Sequence, residues 1–201
     1  MPIPLILITA ILCFILMHNI KRSKAMAEEQ SARFWQREAE ADNVRRQDIS
    51  SLNYIYIPIE TLPFGVDTTP EVQEAEAIIR RLDSTQILNL SQYTNTDLKM
   101  EYGAANLNFL SQCDERFTLL IRTLYQWACL LSEHDHIPEA VRVATYCIEI
   151  GSDISGCYYM LADYYRAHND TDSIKELLER AEAITGLQAD SIKDYLNKSL
   201  E

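Results

Sequence analysis

The stretch "EHDHIPE" is the densest group of chemically capable side chains in the sequence, with His134, Asp135 and His136 in one short turn. Imidazole and carboxylate can ligate a zinc-like ion. Three ligands in one turn, with no second cluster elsewhere, do not close a metal site. Polar residues are also what a solvated turn selects. His18 and His168 stand alone. The cysteines at 13, 113, 129, 147 and 157 form no CxxC pair, and the last four occupy apolar positions of helical patterns. That fits reduced, buried thiols rather than a disulfide framework. No Gly-rich phosphate loop, GxSxG or HExxH occurs. The many carboxylates lie on helix faces, where charge serves solvation. No catalytic residue, metal ligand or cofactor is nominated, and the chain is not expected to be an enzyme.

A second polar group is "TNTDLKMEYG". One reading is a loop and a helix cap, with Thr96 or Asp97 capping and Leu98, Tyr102, Ala105 and Phe109 on one face. The other is a binding corner from Thr94 to Lys99, with Asn95, Asp97 and Lys99 presented to a small molecule or substrate.

The elements that would position these groups follow from composition and periodicity. The chain has 201 residues and a formal net charge of −12. Residues 1–20 carry no charge. Residues 21–46 hold seven basic against five acidic side chains, and residues 47–201 hold eleven against twenty-five. An acidic body is repelled by phosphate backbones, so nucleic acid is not expected as a partner. Five glycines, six prolines and few alternating β-branched runs point to an all-α fold.

"PIPLILITAILCFILMHNI" runs from Pro2 to Ile20 without a charge. As a helix it spans about 28 Å, against a hydrocarbon core of roughly 30 Å. Lys21, Arg22 and Lys24 follow at once and no basic residue precedes. This predicts an uncleaved single-pass anchor over residues 1–21, with the rest of the chain in the cytoplasm. A cleaved signal peptide has its positive charge before the apolar stretch, so Ala25-Met26-Ala27 does not read as a cleavage site. Residues 22–50, rich in Ala, Glu, Gln and Arg, predict a helical spacer, with Glu29 and Arg33 paired four apart. Its apolar positions sustain no heptads, so no long coiled coil is expected.

"LNYIYIPIETLPFG" interrupts the helical rhythm. Pro58 and Pro63 forbid a helix and disfavour a central strand. No second strand-like run is evident in the sequence. So many large apolar side chains are costly to expose, which predicts an extended strap over 51–68. Ile55, Ile57 and Ile59 are expected on its inner side, with Tyr54 and Tyr56 on the other. Thr69 and Pro70 then suit the start of a helix whose inner face carries Val72, Ala75, Ile79 and Leu82.

From Arg122 onward a spacing of thirty-four recurs. Trp127-Ala128 matches Leu161-Ala162, Leu131 matches Tyr165, Ala140 matches Ile174, Ala144 matches Leu178 and Cys147 matches Ala181. These stretches resemble the tetratricopeptide repeat, whose unit is a pair of antiparallel helices with large residues packed against small ones. The resemblance implies units at about 122–153 and 156–187 and a closing helix at 188–200, with Ile192, Leu196 and Leu200 inward. Ile174 is bulky where the repeat has alanine, and Ser152 and Gly186 replace the terminal proline, so the second unit is expected to pack more openly. The chain also resembles a group of uncharacterised single-pass bacterial membrane proteins, through "FWQREAEADNVRR", "IPIETLPF" and "TNTDLK", and that resemblance brings no activity.

In such repeats the first helices line a concave face. The resemblance places Arg122, Tyr125, Tyr159, Asp163 and Arg166 there, a mixture suited to a protein or peptide partner. The expectation is a helical domain over 69–201, tethered at the membrane and acting as a scaffold. The rival is a small-molecule module or small enzyme using the Thr94–Lys99 corner.

Overall fold

The structure, a computed structural model, describes residues 3–184 and 188–200, with side chains at 14 and from 16 onward. The described residues form α-helices, one short 3-10 turn and irregular segments, with no strand among them. They divide into two compact units, residues 1–50 with 92–108, and residues 51–91 with 109–201.

The first unit holds α1 (Ile3–Asp42), α3 (Asn95–Tyr102) and a 3-10 turn (Ala104–Asn106). Among the described residues no helix is long and apolar enough to cross a membrane. The anchor expected over residues 1–21 falls mainly on positions 1–13 and 15, whose side chains lie outside the described residues. The spacer is helical only to Asp42, where the Asn43 side-chain amide donates to the Ala39 carbonyl at 2.8 Å. The chain then turns along α3, and the Gln47 amide donates to the Tyr102 carbonyl at 3.0 Å.

The cap of α3 is Thr94, not Thr96 or Asp97. The Thr94 hydroxyl accepts from the Asp97 amide, and the Asp97 carboxylate takes the Thr94 amide in return, a capping box. The helix does not run on through Ala105 to Phe109 as one face. Gly103, at φ 87°, ends it. A Cβ there would stand 2.6 Å from the Arg45 carbonyl oxygen, so both the turn and the neighbouring backbone require glycine.

The second unit contains α2 (Pro70–Asp83), most of α4 (Leu107–Glu133), α5 (Ile137–Glu149), α6 (Ser155–Ala167), α7 (Thr171–Glu182) and α8 (Ala189–Ser199). Pro70 opens α2 as expected, and Val72, Ala75, Ile79 and Leu82 are buried. Thr69 holds the cap position, but its hydroxyl makes no cap hydrogen bond. The α4–α5 and α6–α7 turns share their backbone closures, though only Asp170 of the second adds a side-chain cap. Asp135 and Asn169, thirty-four residues apart, both adopt left-handed φ, 64° and 56°. The His136 amide bonds the Leu131 carbonyl as the Asp170 amide bonds that of Tyr165, each at 2.9 Å. Both are the six-to-one closures that satisfy carbonyls at a helix end. Leu124, Trp127, Ala128, Leu131, Ala140, Ala144, Cys147, Tyr158, Leu161, Ala162, Ile174 and Ala181 are all buried in one core. Ile192 and Leu196 of α8 join it, and Leu200 packs against it. The bulky Ile174 is accommodated, and a cleft of about 230 Å³ opens beside it, lined by Thr145, Ile148, Glu149, Leu161, Tyr165, Ser173, Glu176, Leu177 and Arg180. Gly186 lies outside the described residues.

Residues 51–69 contain neither helix nor strand. Ile57 is 1 % exposed, Leu62 is buried, and Ile55, Ile59 and Phe64 pack on the core, while Tyr56 is 76 % exposed. The Tyr146 hydroxyl donates to the Tyr56 carbonyl at 3.0 Å. The segment does have an irregular neighbour, which the sequence pattern does not reveal. "QILNL" (86–90) lies alongside, and the Ile55 amide donates to the Ile87 carbonyl at 2.9 Å. That run is too short to show a period, and its other backbone groups turn elsewhere. The Leu88 amide goes to the Cys113 carbonyl and the Leu90 amide to the Asp114 carboxylate.

Ile57→Ala is expected to cost about 2–5 kcal/mol, because the site is closed and cannot collapse fully. Tyr56→Ala should cost under about 0.5 kcal/mol, its ring being in solvent. Urea unfolding of the two variants checks both values.

Candidate functional site

The five residues expected to face a partner lie on α4 and α6. Arg122, Asp163 and Arg166 are exposed, and Tyr125 and Tyr159 are half-buried. Their surroundings separate them. The Tyr125 side chain lies directly over the α6 backbone, where a Cβ on Gly156 would stand 2.3 Å from its hydroxyl oxygen. It is thus a packing residue as much as a surface one. Its hydroxyl is pushed up in pKa by a hydrogen bond with the Cys129 thiol and by burial.

Tyr159, Asp163 and Arg166 come together with two α8 side chains that the sequence reading did not nominate. The Tyr159 and Tyr195 rings stack at 4.3 Å between centroids. The Tyr159 hydroxyl lies 2.8 Å from Ser191 Oγ, and the Tyr195 hydroxyl donates to Asp163 at 2.8 Å. Arg166 donates to the same carboxylate oxygen at 2.7 Å. The Asp163 bond raises the Tyr195 pKa, helped by burial. The result is a pair of rings ringed by polar groups, partly satisfied and open to solvent. The signal for Tyr195 was present in the spacing, since Ile192 and Leu196 stand thirty-four residues after Tyr158 and Ala162. The same spacing thus extends into α8, with Tyr195 at the register of Leu161.

The Thr94–Lys99 corner is used for docking within the first unit. Arg37 donates to Asp97 at 2.6 Å, and Thr96 donates to Glu38 at 2.6 Å. Lys99, with its side chain only 14 % exposed, is paired with both Glu38 and Asp42. Hydrogen bonds from Lys99 and then Thr96 lower the Glu38 pKa, and those to Asp42 and Glu38 raise that of Lys99. Asn95 alone of the three nominated residues is fully on the surface.

His134 and His136 converge on Asp67, a residue absent from the sequence-based candidates. Its side chain is 7 % exposed, and it accepts from the Thr69 amide at 2.7 Å. His134 Nδ1 bonds Asp67 Oδ2, and His136 Nε2 is 4.0 Å from the same atom. The Thr69 amide, opposed by burial and aided by His134, lowers the Asp67 carboxyl to about 2. The sequence clue is Asp67 two residues before Thr69, the spacing of an Asx turn. Among the described residues no group of three or more His, Cys, Asp or Glu side chains is arranged to hold a metal ion.

Cys113, Cys147 and Cys157 are buried free thiols, and Cys129 is half-buried. The Cys147 and Cys157 thiols are hydrogen-bonded, which together with burial keeps Cys157 protonated. No protein-family model, curated protein or solved structure matches the chain. The architecture therefore defines a class, an acidic all-helical protein with a thirty-four-residue internal recurrence, and no family assignment.

The acid response of Asp67 has a definite sign. Its folded value of about 2 lies below the ordinary 3.8, so its stabilisation is whole above roughly pH 4. It is lost as the pH falls toward 2. The stability gap between the native chain and Asp67→Asn should therefore be widest near neutrality and narrow from pH 4 to 2. Urea midpoints across that range measure it.

Proposed function

We propose that the chain is a membrane-anchored helical scaffold whose tetratricopeptide-like domain holds a protein or peptide partner near the bilayer, on the cytoplasmic side. The observation that carries this reading is the thirty-four-residue recurrence of the α4–α5 and α6–α7 turns, in backbone conformation and in hydrogen bonding. Stacked helix pairs of this period build surfaces for extended partners. The face bearing Tyr159, Asp163, Arg166 and Tyr195 supplies the aromatic and charged groups that such surfaces use.

Membrane attachment rests on the uncharged run from Pro2 to Ile20, and the cytoplasmic side on the basic residues that follow it. The small-molecule or enzymatic reading of the Thr94–Lys99 corner has less support. Asp97 and Lys99 are engaged by Arg37, Glu38 and Asp42, which leaves few polar groups free for a ligand.

Capture of partners on the immobilised full chain tests the surface. Tyr125→Ala with Tyr159→Ala should reduce recovery of the partner about tenfold or more, as expected for aromatic anchors. Tyr159→Ala alone should retain most of that effect while leaving the α4–α6 packing at Gly156 intact. Recovery unchanged in both would remove the surface from the proposal. For topology, Ser31→Cys in intact cells should resist a membrane-impermeant thiol reagent and react only after lysis. Labelling in intact cells would place the domain on the opposite side.

A further inference from the structure

Half of the eight cations of the first unit have a partner. Arg33 pairs with Glu29, Arg37 with Asp97, and Lys99 with Glu38 and Asp42, while Arg46 donates to Asn106. Lys21, Arg22 and Lys24 differ in lying together, whereas Arg45, also without an ion pair among the described residues, stands by itself. All three are exposed, and none has an ion pair among the described residues. The sequence explains why, because no Asp or Glu occurs before Glu28. Lys21 and Arg22 therefore meet no carboxylate three or four residues on. Lys24 and Glu28 stand in the less favourable order for a helical pair.

The three charges fall within one helical turn, about 5.4 Å of axis. Lys21 and Lys24 share a shallow concavity on one face of α1 with Met17 and Ile20, with Ala25 and Glu28 behind. Met17 is 71 % exposed and Ile20 55 %. Along one face the order is therefore apolar side chains, then two ammonium groups, with the Arg22 guanidinium on the adjacent face. An anionic phospholipid has the matching order, acyl chains and then a charged phosphate.

We infer that the Lys21–Lys24 turn binds the phosphates of anionic phospholipid headgroups, with Met17 and Ile20 against the acyl chains. This rests on the anchor reading above and names the lipid class that the anchor prefers. Arg22 supplies a fork for phosphate oxygens, and the lysines supply point charges. Each cation near a negative surface is worth roughly a fivefold preference, on the order of a hundredfold for all three, and salt weakens it.

The full chain, diluted from detergent, is offered neutral phosphatidylcholine vesicles and vesicles rich in phosphatidylglycerol in one mixture, separable by density. The expected result is a strong preference for the anionic vesicles, abolished by Lys21→Gln, Arg22→Gln and Lys24→Gln together and by about 0.5 M salt. Glutamine keeps the helix propensity at these exposed positions, and circular dichroism checks that the helix persists. Equal partition of the native chain between both vesicles overturns the headgroup inference and leaves the anchor standing. A preference that survives in the triple variant also overturns it. Recovery of the chain with neither vesicle overturns the inference and the anchor reading together.

Discussion

The second unit depends on Trp127, in the C-terminal half of α4. It is fully buried, with Ala128 beside it and Leu124 and Leu131 one turn away on either side. Phe64 covers it from the irregular segment, ring centroids 4.9 Å apart, and the Arg80 guanidinium sits 4.2 Å above the Phe64 ring. One stack thus joins α4, the segment 51–69 and α2 through dispersion, aromatic and cation–π contacts. The indole N–H meets no acceptor among the described residues. Burying it unpaired is unfavourable, so the packing around the ring must outweigh that cost. This explains why a proline-broken segment can hold a fixed place on a helical protein. It closes the core over the largest side chain in it.

The first unit is organised differently. Its contacts are polar, built from Arg37, Glu38 and Asp42 of α1 against Thr96, Asp97 and Lys99 of α3. Ala41 is fully buried on the same face of α1, small enough to let the helices approach. Asn106 ties the turn after α3 to the chain after α1 by donating to the carbonyls of Gln47 and Tyr102, each at 2.8 Å. Exposed ion pairs are worth little singly, and their value here comes from sharing partners around one lysine. A corner that looks like a ligand site in sequence is largely used in holding its own helix. Polar residues that face a partner helix and polar residues that face a ligand are of the same types. Local sequence cannot separate them.

On the helical face of α6 and α8 the balance is reversed. Tyr159 and Tyr195 are stacked and hydrogen-bonded yet half-exposed, and the two charges beside them reach solvent. Rigid aromatic rings held by neighbours lose little conformational freedom when a partner covers them. Tyr125 belongs more to the core, pressed on the glycine backbone of α6. The five residues grouped by repeat register are therefore not equivalent. Three have joined a cluster with α8, one supports a helix crossing, and Arg122 stands apart in solvent.

Much of the helical organisation was legible because period and punctuation are local. Apolar residues every three to four positions, Pro70 at a first turn, and the thirty-four-residue spacing of Trp127 and Leu161 each act within one or two helices. The all-helical class and the α2 face followed from these, and the burial of Ile57 from the cost of exposing apolar side chains. What local pattern could not supply were long-range pairings. Residues 92–108 join α1 because Lys99 finds Glu38 and Asp42, 61 and 57 positions away. Asp67 receives His134 across 67 positions, and "QILNL" pairs with the strap through one backbone bond. The sequence by itself determined which faces must be buried, since exposing apolar side chains is unfavourable wherever they lie. Only the tertiary structure decided which charged and polar groups meet, because carboxylates, lysines and histidines are equally content in water until packing brings particular ones together.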